Sequence, residues 1–429
     1  MTAYVAQYAW IGDEVRENVG IEIADGRISR VSTGISGERL SGLVLPGMAN
    51  AHSHAFHRAL RGRTHGDRGS FWTWRDLMYR VAGRLDPDNY FALARAAYGE
   101  MALAGITCVG EFHYLHHGPD GTRYADPNAM GHALTAAAAE AGIRITLLDA
   151  VYLTAGVDGK PLDGVQRRFG DGDYDGWYSR FDALRGGGHV RIGAALHSVR
   201  AAPADGMAAF AARTDGLPVH VHLSEQPAEN EQCRAVHGCS PTELLDAMGV
   251  WQPMTTAVHA THLTDADRAL VEGSHACFCP TTERDLADGI GPARALADGG
   301  TTLTLGSDSH AVIDLFEEAR GLELDERLAT RQRGHFTAAE LITAATRAGH
   351  ASLGWSDAGE IAVGQRADLV AVSLDSPRTA GIDPAGTVFA ATAADVTDVI
   401  VDGRPVVRDG RHLGMDVPAA LRSAIAAVL

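Results

Sequence analysis

Paired cysteines are lacking in this sequence. Its five cysteines are an odd number, they are scattered through 429 residues, and no two of them form a CxxC motif. Because disulfide frameworks belong to short, cysteine-dense, exported chains, this usage argues against one. We expect a reducing, cytoplasmic environment for the protein.

Long apolar segments are lacking as well. No run approaches the roughly twenty apolar residues that a membrane-spanning helix needs. The first residues, MTAYVAQYAWIGDEV, show no basic segment followed by an apolar one, which is the order that a signal peptide has. We therefore expect neither membrane insertion nor export.

Positive charge is scarce relative to negative charge. The chain carries 54 Asp and Glu against 37 Lys and Arg, which gives a formal net charge of -17. The electrostatic field of a protein with this net charge repels polyanions, so binding to nucleic acid or to acidic lipid is not expected. A small anionic substrate would have to be bound by arginine and histidine clustered inside a cleft.

The order of sequence patterns along the chain predicts two domains. A hydrophobic fraction of 45% over this length suits a large catalytic domain with a smaller accessory one. Short β-like runs and turns fill the N-terminal part, and the same pattern returns in GEIAVGQRADLVAVSL and VTDVIVDGRPVVRDG. We predict that residues 1–45 and 358–429 pair into one small β-sandwich domain.

The middle of the chain, residues 46–357, predicts a (β/α)₈ barrel. Apolar strand-like runs alternate there with Ala-rich helical stretches, which indicates an α/β fold with a parallel sheet. The strand-like runs are LVLPGMANAHSHAF, TCVGEFHY, RITLLDA, VRIGAALHS, LPVHVHLSE, TTAVHATHL, HACFCPTT and TLTLGSDSH. About eight such units close a TIM-type barrel, whose functional residues lie at the C-terminal ends of its strands.

Histidines and an aspartate occur where several of these predicted strands end. His52 and His54 are two residues apart, so both side chains point from the same side of one strand. His222, His259 and Asp308 lie at the ends of three other runs. This convergence predicts three imidazoles and one carboxylate around a single divalent ion. The competing interpretation is that these histidines are core residues whose polar atoms are satisfied internally.

A cation with an open coordination position would make this group a hydrolytic site. It lowers the pKa of bound water toward neutrality, so that hydroxide can attack an electrophilic carbon. A base must take a proton from the water, and an acid must deliver one to the departing nitrogen. Glu225 and Asp308 are the carboxylates available for these two steps.

Four motifs carry these residues, LPGMANAHSHAFHRAL, HLSEQ, AVHATHL and LGSDSHAVI, and a fifth motif, CPTTERDLADGI, lies between the last two. Together with the GEIAVGQRADL segment they resemble the amidohydrolase superfamily, and within it the formimidoylglutamate deiminases of histidine degradation. The resemblance implies hydrolytic release of ammonia from a C=N group of N-formimino-L-glutamate. It also implies one metal ion held by His52, His54, His222 and Asp308, with Glu225 moving protons and His259 polarising the substrate.

The resemblance also bears on the metal and the oligomer. No lysine occupies a strand end suited to carbamylation, so one metal ion is expected rather than two. Zinc is the predicted ion, and ferrous iron suits the same ligands. The family resemblance also predicts a homodimer.

The substrate of that family is an N-formimino amino diacid, whose two carboxylates need partners. Residues that resemble the family's carboxylate-binding residues are Arg75, Tyr114, His197 and Arg200. An arginine fork beside a phenol and an imidazole suits a carboxylate. His57 is a departure, because many relatives carry glutamine there, and imidazole changes its charge near neutral pH whereas an amide does not.

Two other functions stay open. A related deaminase of a purine, pterin or triazine would share the same histidine and acid pattern, although Arg75 and Arg200 favour an acidic aliphatic substrate. A barrel that binds a metal or ligand without catalysis is the other alternative. Such a barrel would be expected to lose proton-transfer groups such as Glu225 first.

Overall fold

The protein forms a parallel β-barrel and a second sheet built from strands near both ends of the chain. A computed structural model describes residues 2–65 and 71–429. In chain order its strands are β1 (Thr2–Ile11), β2 (Glu14–Ala24), β3 (Arg27–Ser32), β4 (Glu38–Pro46), β5 (Met48–Ser53), β6 (Ile106–His113), β7 (Arg144–Val151), β8 (Val190–Leu196), β9 (Val219–Leu223), β10 (Thr255–His259), β11 (His275–Phe278), β12 (Thr302–Leu305), β13 (Leu369–Val372), β14 (Val396–Val401), β15 (Arg404–Arg408) and β16 (Arg411–His412).

The helices lie mostly between the barrel strands. In chain order the α-helices are α1 (Phe71–Arg84), α2 (Pro87–Leu103), α3 (Ala129–Ala141), α4 (Tyr174–Phe181), α5 (Ala204–Arg213), α6 (Pro227–His237), α7 (Pro241–Ala247), α8 (Asp265–Leu270), α9 (Pro280–Asp285), α10 (Ala293–Asp298), α11 (Leu315–Thr330), α12 (Ala338–Thr343), α13 (Gly349–Ser352) and α14 (Val417–Val428). None of the helices within residues 2–65 and 71–429 has both the length and the apolar character needed to cross a bilayer.

The predicted barrel is confirmed, and its strands are the ones that the sequence predicted. Strands β5 to β12 pair in sequential order, every pair is parallel, and a bridge between Ser53 and Asp308 links the first strand to the residues after the last. β6 and β7 are buried at every position, as expected for strands that are covered on both faces.

Capping residues define where several crossover helices begin. Capping boxes, in which two side chains and two backbone N–H groups bond reciprocally, start α2, α7, α8 and α12. Each satisfies N–H groups that a helix N-terminus leaves without partners. These side chains fix the residue at which each helix begins.

The second sheet joins both ends of the chain, as predicted. Its strand order is β16-β15-β14-β13-β4-β1-β2-β3, and the antiparallel pair β4 and β13 connects the two ends. Asp25-Gly26 and Asp402-Gly403 turn two of its hairpins with positive φ at all four residues, which is the requirement of a type I′ turn. The domain limits at 45/46 and 357/358 stay a prediction.

A buried ion pair connects the barrel to this sheet. Arg144 opens β7, and its guanidinium donates to both carboxylate oxygens of Asp368, which immediately precedes β13. Both side chains are almost fully buried. Thr107 of β6 also donates to Asp368, so this carboxylate fixes the sheet against the N-terminal end of two barrel strands.

Candidate active site

A single cleft opens at the C-terminal ends of the barrel strands. It holds about 800 Å³ that no protein atom occupies, part of it open to solvent. Every residue that the sequence predicted for the site lines this cleft except His52, which is fully buried at its base. The structure therefore brings the predicted residues together.

Four of these residues form a compact group of ligand atoms. One nitrogen or oxygen from each of His52, His54, His222 and Asp308 lies within 4.8 Å of the others. His52 Nε2 is 3.1 Å from His222 Nε2, and Asp308 Oδ1 is 3.4 Å from His52 Nε2 and 3.3 Å from His54 Nε2. Three imidazoles and a carboxylate at these separations match the donor set of a tetrahedral transition-metal site.

Backbone carbonyls orient two of these imidazoles. His54 Nδ1 donates to the carbonyl of Phe112 at 3.0 Å, and His222 Nδ1 donates to the carbonyl of His197 at 2.8 Å. With Nδ1 protonated, Nε2 carries a lone pair, and in both rings it faces the common centre. This is the arrangement by which proteins fix a histidine for metal binding, so the residues fit a divalent cation.

The protonation states of the group also suit ligation. Burial lowers the pKa of His54 to about 3 and lowers that of His222 well below its ordinary value. Burial alone would raise the pKa of Asp308, but contact with His52 and the neighbouring imidazoles lower it below its usual range. The imidazoles are thus neutral and the aspartate is ionised, as metal binding requires.

The backbone at the end of β12 directs Asp308 into the cleft. Asp308 has a φ of 38° and its N–H donates to the carbonyl of His52 at 3.0 Å. Ser307 N–H donates to the same carbonyl at 3.1 Å. A left-handed conformation at a non-glycine residue persists only where surrounding contacts hold it. Here the closure of the barrel supplies those contacts.

Glu225 and His259 lie beside the ligand group. Glu225 follows β9 and is nearly buried, and His259 ends β10 with its Nε2 3.9 Å from Asp308 Oδ2. Burial lowers the pKa of His259, but the carboxylates of Glu225, Glu283 and Asp308 together raise it well above its ordinary value. An acid, a base and a cationic imidazole are therefore available around one point, as proton transfer requires.

Part of the cleft is basic and aromatic. Arg200 Nη2 is 3.8 Å from Glu225 Oε2, and its Nε is 3.2 Å from Glu229 Oε2. Arg75 Nε donates to the hydroxyl of Tyr79 at 2.9 Å. These two guanidiniums make this part of the cleft positively charged, although the protein as a whole is negatively charged.

The remaining predicted residues, His57, Tyr114 and His197, contact one another through their rings. His57 Nε2 lies 3.2 Å from the hydroxyl of Tyr114, and the His197 ring is 5.3 Å from the Tyr114 ring. Burial lowers the pKa of His57 well below its ordinary value. Imidazole at this position is therefore neutral at physiological pH, so it differs less from glutamine than the sequence suggested.

Sequence reasoning missed several cleft residues. Tyr152 immediately follows β7 and packs edge-on against His197 with ring centroids 4.5 Å apart; the rule that functional residues follow barrel strands would have found it. Phe169 lies in a loop and also lines the cleft, and nothing in its local sequence marks it. Glu229 and Glu283 contact Arg200 and His259 from behind.

A second buried group, formed by His113, His116 and Asp149, also has its ligand atoms close together. Arg180 donates to both Asp149 oxygens at 2.6 and 2.8 Å, and Trp177 donates to one of them at 2.8 Å. Because the guanidinium already neutralises this carboxylate, the group is an ion-pair network that fixes α4 to β7.

The fold and the site together define the class of the protein. A parallel barrel with a histidine and aspartate group at its mouth is the arrangement of metal-dependent hydrolases, and a profile of the amidohydrolase family matches residues 43–406. The chain therefore belongs to the amidohydrolase family. It is 40% identical over 438 residues to formimidoylglutamate deiminase of Pseudomonas aeruginosa, and the match covers 96% of each chain. The predicted resemblance is thus confirmed.

Other relatives and solved structures are similar to a lesser degree. The chain is 28% identical over 393 residues to 5-methylthioadenosine/S-adenosylhomocysteine deaminase of Natronomonas pharaonis, covering 89% of this chain and 85% of that one. An amidohydrolase from Brucella melitensis superposes with a TM-score of 0.92 at 34% identity over 100% of both chains. An adenosine deaminase from Xanthomonas campestris with bound zinc gives 0.84 at 25% identity, covering 99% of this chain and 97% of that one.

Proposed function

We propose that this protein hydrolyses N-formimino-L-glutamate to N-formyl-L-glutamate and ammonia. The observation that carries the proposal is the polarity of the cleft. It holds the histidine and aspartate group with Glu225 and His259, and it also holds the guanidiniums of Arg75 and Arg200. A substrate with a C=N group at one end and carboxylates at the other matches both. The extent of similarity to the Pseudomonas aeruginosa deiminase supports the same activity.

A divalent cation held by His52, His54, His222 and Asp308 would supply Lewis-acid chemistry that brings the pKa of water close to neutrality. Nitrogen and carboxylate ligands in this number suit zinc, and ferrous iron accepts the same set. The zinc bound in the Xanthomonas campestris relative supports zinc.

The protein residues would move the protons of the reaction. Asp308 takes a proton from the water whose oxygen bonds to the formimino carbon. Glu225 delivers a proton to the formimino nitrogen, which gives a tetrahedral carbon that carries a hydroxyl and an amine. The hydroxyl then loses its proton and the amine gains one as the C=O bond forms and the C–N bond breaks, so both protons of the water end on the ammonia that leaves. His259 stabilises the charge that develops at the attacked centre. The formyl oxygen of the product comes from water, so the reaction needs no other reactant.

The basic part of the cleft would bind the two carboxylates of the substrate. Arg200 and Arg75 offer charge-assisted hydrogen bonds, while Tyr114, His197 and His57 add neutral donors. Because the overall charge of -17 repels anions, these contacts must supply the attraction locally. Substrates that lack the carboxylates are expected to bind poorly.

Ammonia release by purified, metal-loaded protein tests the proposal. Glu225→Gln should lower kcat by about 10²- to 10⁴-fold, the usual contribution of a general acid or base. Glu231→Gln is a matched control, because Glu231 lies on the exposed side of α6. Near wild-type turnover by Glu225→Gln would refute the assigned role.

A second candidate is deamination of a flat heterocycle. The aromatic side chains of Trp74, Tyr114, Tyr152 and Phe169 in the cleft favour it, because such rings stack on nucleobases. Ammonia release should be compared on N-formimino-L-glutamate, guanine and adenosine derivatives. A preference for a nucleobase would replace the first proposal with this one.

The proposed homodimer and the cytoplasmic environment rest on the family resemblance and on the cysteine usage. Light scattering coupled to size-exclusion chromatography measures the first. A monomer at the concentration used for the kinetic assays would refute the dimer.

A further inference from the structure

Glu283 is a buried carboxyl that contacts His259 on the side facing away from the cleft. It lies in the first turn of α9 and is 4% exposed. Its Oε1 is 3.4 Å from His259 Nδ1 and accepts the backbone N–H of Cys279 at 2.9 Å. Glu283 is not among the described residues that line the cleft, so any effect on the substrate must pass through His259.

This contact holds a proton on Nδ1 of His259. Oε1 already accepts the N–H of Cys279, so it faces His259 as an acceptor, and Nδ1 must be the donor. The bond also fixes the plane of the ring. Nε2 is then directed toward the cleft, where Asp308 Oδ2 lies 3.9 Å away. That separation is too long for a direct hydrogen bond, so Nε2 remains available to a group bound in the cleft.

The backbone of His259 is strained at the same point. His259 has a φ of 68° and the following Ala260 has a φ of 51°. Two successive non-glycine residues in the left-handed region are strained, and they keep this conformation only where neighbouring groups hold them. Glu283 holds the imidazole at the point where this strained backbone presents it to the cleft.

We propose that Glu283 is a positioning residue, which keeps Nδ1 of His259 protonated and Nε2 aimed at the reacting group. The inference rests on the proposed function, because it takes from there the role of His259. It adds a residue that acts on the chemical step without touching the substrate.

Glu318 offers a matched control for the alternative that Glu283 only anchors α9. Glu318 is fully buried on α11 and accepts the N–H of Thr281 at 2.9 Å and its hydroxyl at 2.5 Å. It therefore holds the same first turn of α9. Among residues 2–65 and 71–429, both hydrogen bonds of its side chain come from Thr281, so it supports the helix without supporting His259.

The kinetic test compares variants on N-formimino-L-glutamate. Glu283→Ala should lower kcat by about 10- to 100-fold, the range expected when the hydrogen-bond partner of a functional imidazole is removed, with KM nearly unchanged. Glu283→Gln keeps an acceptor oxygen and should recover most of the loss. Glu318→Ala should retain kcat. In a His259→Asn background, Glu283→Ala should not lower kcat any further, because both changes act through the same ring.

A spectroscopic test needs no substrate. With isotope-labelled histidine, the hydrogen-bonded Nδ1 proton of His259 should give an imidazole NMR signal that His259→Asn identifies by its loss. The signal should persist in Glu318→Ala and Glu283→Gln and disappear in Glu283→Ala.

The two tests separate failure of this inference from failure of the proposed function. Wild-type protein that releases no ammonia from N-formimino-L-glutamate refutes the function, while the NMR signal still reports on Glu283. An active wild type with equal kcat losses in Glu283→Ala and Glu318→Ala, or a signal that survives Glu283→Ala, overturns the inference.

Discussion

Replacing Arg200 by glutamine should separate substrate binding from stability, because Arg200 contacts both the cleft and a buried carboxylate. Its Nε lies 3.2 Å from Glu229 Oε2, and the Glu229 side chain is 1% exposed. Its Nη2 is 3.8 Å from Glu225 Oε2. Arg200→Gln therefore removes a binding group from the cleft and also leaves Glu229 without its counter-ion.

The two effects are measured by different quantities, kcat/KM and the free energy of unfolding. Loss of two charge-assisted hydrogen bonds to a substrate carboxylate, at about 1.5–3 kcal/mol each, amounts to about 3 kcal/mol at the lower end. That corresponds to a decrease of about 100-fold in kcat/KM, since each 1.4 kcal/mol is about tenfold. Breaking a fully buried ion pair costs about 3–5 kcal/mol. Arg200 is 30% exposed, so we expect a smaller loss of stability, about 2–3 kcal/mol.

The double variant Arg200→Gln, Glu229→Gln distinguishes the two effects. Removing the unpaired carboxylate should restore most of the stability, measured by denaturant unfolding, while kcat/KM for N-formimino-L-glutamate stays low. Arg16→Gln, which breaks an exposed pair with Glu14, serves as the control and should change neither quantity. If the double variant recovers kcat/KM along with stability, Arg200 does not bind the substrate and the reasoning is refuted.

Three further outcomes are expected. Arg144→Met should lower the free energy of unfolding by about 3–5 kcal/mol, because it leaves the buried Asp368 carboxylate unpaired; equilibrium denaturation measures this, and a loss below about 1 kcal/mol would contradict it. Burial lowers the pKa of His350 from 6.5 to about 4, so the unfolded chain binds the proton more tightly. Stability should then fall by about 3 kcal/mol as the pH drops from about 6.5 to about 4, and His350→Gln should flatten that decline in pH-dependent unfolding. Chelation of the metal should stop ammonia release and lower Tm, and added zinc should restore both. If neither chelation nor added zinc changes Tm, the metal does not bind at the histidine and aspartate group.

The sequence was sufficient for the barrel and for the meeting of its site residues. Strand-like runs such as β7 are mostly apolar and are buried at every position, and parallel strands bring their C-terminal ends to one mouth. His52 and Asp308 are separated by most of the chain, yet closure of the sheet places them in contact. The pattern at strand ends therefore predicted that these side chains meet, and the family resemblance selected His52, His54, His222 and Asp308 among them as the ligand group.

What the sequence could not give are the groups that support these residues from behind. The carbonyls of Phe112 and His197 orient two imidazoles, but every residue has a carbonyl, so side-chain identity carries no signal for them. Glu229 and Glu283 lie in the first turns of helices, where acidic residues are common for helix stability alone. Only the packing of α6 and α9 shows which histidine or arginine each one contacts.

The pairing of β4 with β13 determines when the protein can complete its fold during synthesis. β4 leads directly into β5, which carries His52. β13, the antiparallel neighbour of β4, leaves the ribosome only after the rest of the barrel. At about 5–20 residues per second this interval is on the order of tens of seconds. During that time one edge of β4 stays open to pairing with other chains. Folding of this protein should therefore depend on translation speed and on chaperones more than that of a barrel whose accessory sheet is contiguous.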